Sequence, residues 1–156
     1  MTGIPRAAFW LGVAGLLPFA FGVVLTLLPA NDGSGGEIFA VPRDTGALLL
    51  ERYGMVILAF MGGCLWGFAC YPRRRLGPGF WVLFATTLPA LWAFFAPLYF
   101  GPTPQWSCAL LAAGFLALLA IDLWAHNEEI APPWWLALRL PLTLAVVFAL
   151  LFGAFS

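Results

Sequence analysis

The chain has no lysine, one histidine and three cysteines, and charged residues fill only 9% of its 156 positions. Each scarcity narrows the function. Seven acidic and seven basic residues leave a formal net charge of +0, so no electrostatic field recommends nucleic acid as a partner. Cys64, Cys70 and Cys108 form no Cys-x-x-Cys pair, which argues against a zinc site or disulfide framework and for buried, inert thiols. With His126 alone, a haem held by two axial histidines is not expected, and no cofactor or metal is assigned. Gly-x-Ser-x-Gly, His-Glu-x-x-His and phosphate-loop patterns are missing, and no carboxylate pair shares a helix face inside an apolar run. No enzyme is expected.

What is present is apolar. Hydrophobic residues make up 63% and the mean hydropathy is +0.96, beyond what a soluble domain tolerates. A helix crosses the hydrocarbon core with roughly 20 apolar residues. Five stretches meet that length, at about 7–28, 47–71, 79–100, 105–124 and 136–155. These runs are apolar on every side, whereas a barrel needs short alternating segments. Lipid then leaves only helices to satisfy the backbone. The expected fold is all-α: a polytopic bundle of five transmembrane helices forming one domain over residues 1–156. The first run is too long for a cleaved signal and reads as a retained helix.

Arginine placement orients the bundle. With the N-terminus inside, Arg6, Arg73, Arg74, Arg75 and Arg139 lie on the inner face, and only Arg43 and Arg52 lie outside. That asymmetry follows the positive-inside rule and puts the C-terminus outside. Trp10, Trp81, Trp106, Trp124, Trp134 and Trp135 fall near span ends, as interfacial belts require.

Small residues at one-turn spacing let helix backbones approach. Ala59, Gly63 and Gly67 form such a stripe on the second span, with Gly12 and Gly15 on the first and Ala109, Ala113 and Ala117 on the fourth. Packing within the bundle is the first expectation for them, and a partner interface the second. Pro18, Pro89, Pro97 and Pro141 lie inside spans, where each removes a backbone donor. Thr86 and Thr87 are placed to satisfy the carbonyl freed by Pro89.

Ionisable groups avoid the membrane midplane. Asp122 is the deepest acid, and Arg6, Arg139 and the Arg73-Arg74-Arg75 cluster lie at the same inner level. A charge network among them is expected to be structural, with proton relay or anion binding as the sharper alternative. Glu51 and Arg52 open the second span as an anchor, with Glu51 favoured by the helix dipole. His126 belongs to a solvated loop beside Asn127, Glu128 and Glu129.

Three stretches in order carry a resemblance. They are Ile4-Pro5-Arg6 through Phe9-Trp10-Leu11-Gly12 to Pro18-Phe19, Tyr53-Gly54 through Gly62-Gly63 to Trp66-Gly67, and Leu138-Arg139-Leu140-Pro141-Leu142-Thr143. Together they resemble a small family of multi-helix inner-membrane proteins of unknown function, found in proteobacteria with relatives among animal mitochondrial membrane proteins. Leu65 departs from it, since that family often places histidine or arginine before the tryptophan of the second stretch. The resemblance implies an energy-transducing setting, here a bacterial inner (cytoplasmic) membrane, and supplies no activity.

The leading functional expectation is a non-catalytic accessory or assembly subunit of a larger respiratory or photosynthetic membrane complex. The alternative is a small oligomeric transporter or channel, for which Thr26, Thr86, Thr87 and Ser107 are the available polar groups. An odd number of spans and no visible internal repeat argue against a secondary transporter. Fifteen phenylalanines and eight tryptophans are compatible with a groove that accepts a quinone, lipid or pigment, and equally with lipid-facing packing.

Overall fold

A computed structural model describes residues 3–27, 37–38, 41–42, 45–71 and 79–155. Arg43 and the Arg73-Arg74-Arg75 cluster lie outside the described residues.

Among the described residues five helices are long and apolar enough to cross a membrane, and the protein is a multi-pass membrane protein. The first span is broken into α1 (Arg6–Ala14) and α2 (Leu17–Leu27). At the break Leu16 N–H turns to the Val13 carbonyl, a tightened three-residue step. Pro18 therefore sits in the first turn of α2, where a missing N–H costs little, and not within one continuous helix. The Tyr53 hydroxyl donates to the Gly15 carbonyl at 3.1 Å and ties the break to the next span. A minimal antiparallel pair follows, β1 (Glu37–Ile38) and β2 (Val41–Pro42), with Ile38 opposite Val41.

The second span, α3 (Gly46–Cys70), runs unbroken through Gly62-Gly63. It packs against α2 and against the other three spans, α4 (Phe80–Phe100), α5 (Pro104–Asn127) and α6 (Trp135–Ala154). Helical phase divides α3 into two stripes. Gly54, Leu58, Gly62, Leu65 and Ala69 are buried. Arg52, Val56, Phe60, Gly63 and Gly67 are exposed. Leu65 is thus a core residue. Glu51 lies beyond the first turn of α3, so the dipole expected to favour it acts only weakly there.

α4 packs on α3 and α5, while the first span packs on α3 and α6. Gly62 permits a close α3–α4 approach: a Cβ there would lie 3.0 Å from the Thr86 carbonyl oxygen and 3.2 Å from Pro89. Thr86 and Thr87 donate to the Leu83 and Phe84 carbonyls, at 2.8 and 2.7 Å. The carbonyl freed by Pro89 is that of Ala85, so neither threonine serves it; each hydroxyl reaches back only to its own preceding turn. On α5 the expected alanine stripe is out of phase, with Ala113 and Ala117 exposed. Ala112, Gly114, Phe115 and Leu118 form the packed side. Among the cysteines, Cys108 is buried, Cys64 half-buried and Cys70 exposed, which corrects the expectation of three buried thiols.

Candidate functional site

The α5–α6 connection builds the most polar part of the core. α5 ends in a Schellman motif: Ile130 N–H donates to the Ala125 carbonyl at 2.9 Å and Glu129 N–H to His126 at 3.1 Å. Glu129 occupies the left-handed position with φ 56°. Glycine usually takes that place because it has no Cβ to clash. His126 falls in the last helical turn rather than in a loop, and is half-buried. Trp135 N–H then donates to the Pro132 carbonyl at 2.9 Å, starting α6 directly after a short connection. The chain thereby doubles back and sets the first turns of α6 beside Asp122.

Asp122 is fully buried, with 0% exposure, and both carboxylate oxygens are used. Trp135 Nε1 donates to Oδ1 at 2.6 Å, and Arg139 Nε donates to Oδ2 at 3.1 Å. Residues four apart share a helix face, so Trp135 and Arg139 reach one carboxylate from successive turns of α6. The guanidinium carbon also lies 5.9 Å from the centre of the Trp135 ring, within cation–π range. Phe68 of α3 meets the same ring edge-on at 4.9 Å. A buried ion pair is costly to desolvate, and removing either partner leaves a bare charge. Here the two charges cancel locally, so α5 and α6 are clamped without a net charge in the core.

The clamp is not fully satisfied. Arg139 is 4% exposed, yet its Nη2 has no hydrogen-bond partner among the described residues. The buried hydroxyls of Thr143, one turn along α6, and Ser107 also lack partners. Beside Arg139 a crevice of about 420 Å³ opens between the first span (Gly12, Leu16), α3 (Met61, Cys64) and α6 (Trp135, Arg139).

The expected charge network divides. Asp122 and Arg139 meet; Arg6, at the start of α1, is exposed and makes no ion pair with a described residue. Arg73, Arg74 and Arg75 fall outside the described residues. Trp135 corrects a sequence expectation, because it is a buried donor and not part of an interfacial belt. Its four-residue spacing from Arg139 was the available signal. Trp10, Trp81, Trp106 and Trp124 are exposed, and Trp134 is half-buried.

The packing glycines also divide. A Cβ at Gly12 would meet Leu142 of α6 at 2.8 Å, so Gly12 serves packing within the bundle. Gly15 marks the break in the first span. Ala59 is half-buried against the core. Gly63 and Gly67 are exposed, with nothing within 4 Å of a Cβ at either position. For these two, packing within the bundle is overturned.

Residues 4–155 match the family described as "Protein of unknown function (DUF3429)". The chain belongs to the DUF3429 family. It is also similar to "Transmembrane protein 69" of Xenopus tropicalis, 29% identical over 150 residues. That match covers 94% of this DUF3429 chain and 53% of the frog protein, so the chain spans about half the length of the curated relative. No solved structure matches this member of DUF3429.

Proposed function

We propose that this DUF3429 protein is a non-catalytic accessory or assembly subunit that docks on a larger complex of a bacterial inner membrane, respiratory or photosynthetic. The observation that carries the reading is the pair Gly63 and Gly67. Both sit on the exposed stripe of α3 with open space where a side chain would be. In lipid, helices associate through close backbone contact at small residues, since no hydrophobic force draws apolar helices together. Exposed glycines in a span cost helix stability unless something uses the access they provide. A second membrane protein laid along α3 would use it.

The clamp fits this role as a structural device. Asp122, Trp135 and Arg139 hold α5 against α6 at one end of the bundle. They leave no pair of acid and base groups open to a substrate, and the neighbouring walls are apolar. The test is purification from native membranes in a mild detergent. Comigration with one larger complex at fixed stoichiometry is expected. Recovery as a monodisperse homo-oligomer, free of other proteins, contradicts the proposal.

A further inference from the structure

The crevice beside Arg139 combines three properties that packing within the bundle does not require together. Its volume of about 420 Å³ lies within the range of small-molecule pockets. Its rim reaches the lipid-facing surface, where Leu11 and Phe60 are 73% and 60% exposed. Arg139 lines its inner wall, nearly fully buried, and its Nη2 has no hydrogen-bond partner among the described residues. Buried donors find acceptors in almost all proteins, so an acceptor supplied by a ligand is the simplest completion.

The chemistry of that ligand follows from the surroundings. Asp122 already balances the charge of Arg139, so an anionic head would bring an uncompensated negative charge into an apolar site. A neutral acceptor oxygen would not. The rings of Phe19, Trp134 and Trp135 flank the space and suit a flat head group. Everything else on the walls is apolar except the Cys64 thiol, and suits a hydrocarbon tail. We propose that this crevice binds a neutral membrane amphiphile with a carbonyl on a planar ring and an apolar tail, the chemistry of a quinone, with Arg139 donating to the carbonyl. The site goes beyond the docking reading and holds whether or not a partner complex exists.

The experiment uses the full chain in phosphatidylcholine nanodiscs, with thermal unfolding followed by calorimetry. The probe is a fully substituted decylbenzoquinone, which cannot alkylate the thiol. Decylbenzene and palmitate are run in parallel. A ligand that binds only the folded state raises Tm in a saturable way. A saturable rise of several degrees is expected with the quinone and none with decylbenzene, which has the tail but no acceptor. Cys64→Phe places a ring in the crevice without replacing Asp122 or Arg139, and is expected to abolish the rise. Arg139→Met is expected to abolish it too; should that chain fail to fold, Cys64→Phe decides. No saturable rise, an equal rise with decylbenzene, or a rise that survives Cys64→Phe overturns the proposal. A larger rise with palmitate overturns the neutral head in favour of a carboxylate lipid.

Discussion

Trp135 on α6 donates its indole N–H to Oδ1 of Asp122 on α5 at 2.6 Å, leaving Oδ2 to Arg139. One carboxylate thus serves two donors from successive turns of the same helix. The arrangement ties the fourth and fifth spans at the end of the bundle where their connection is short.

Asp122→Asn leaves Arg139 buried without its counter-charge. Breaking a buried pair in this way costs about 3–5 kcal/mol. Denaturant unfolding in detergent is expected to register that loss for the single variant. Asp122→Asn combined with Arg139→Met is expected to recover most of it, since no charge is left buried and the amide oxygen at position 122 still accepts from Trp135. Additive losses in the double variant would mean that the two residues act separately.

Trp135→Phe keeps an aromatic ring against Phe68 and removes only the donor. A hydrogen bond to a charged group contributes roughly 1.5–3 kcal/mol. A drop of that size in unfolding free energy is expected, with helical content by circular dichroism unchanged.

Gly62 and Gly63 are neighbours in sequence with opposite surroundings. Gly62→Leu drives a side chain into the Thr86 backbone and Pro89, and is expected to cost at least about 1–3 kcal/mol of stability. A Cβ at Gly63 has nothing within 4 Å, so Gly63→Leu is expected to leave Tm unchanged or slightly raised. Equal losses would mean that α3 is rotated from the phase described here.

Gly114→Ala tests the α4–α5 seam. A Cβ there would lie 2.5 Å from Cδ1 of Trp92, whose indole donates to the Leu110 carbonyl at 2.9 Å. Displacing that ring is expected to cost about 1–3 kcal/mol by overpacking and to red-shift the tryptophan emission.

The five spans were legible because lipid imposes length and hydropathy directly on sequence. The break at Gly15-Leu16 was not, since glycine and proline also occur within continuous membrane helices. Asp122 stood out by its depth alone, whereas its choice among the arginines needed the third dimension. Trp135 was hidden by ambiguity: a tryptophan near a span end suits the interface as well as the core, and only helical phase separates the two. The same phase problem governs α3, where Gly62 and Gly63 lie one residue apart. The position of Pro89 on α4 selects Gly62 for packing, and no feature of α3 itself reveals that.

Docking through the exposed stripe of α3 is tested most directly by comparing tagged wild type with Gly63→Leu/Gly67→Leu in mild-detergent pull-downs from native membranes. Ala113→Leu, on the exposed side of α5, is the control. The expected result is one larger complex recovered at fixed stoichiometry with wild type and Ala113→Leu, and lost with the glycine double variant while its Tm is retained. Recovery of all three chains alone, or of the same complex with all three, contradicts an accessory subunit held through Gly63 and Gly67.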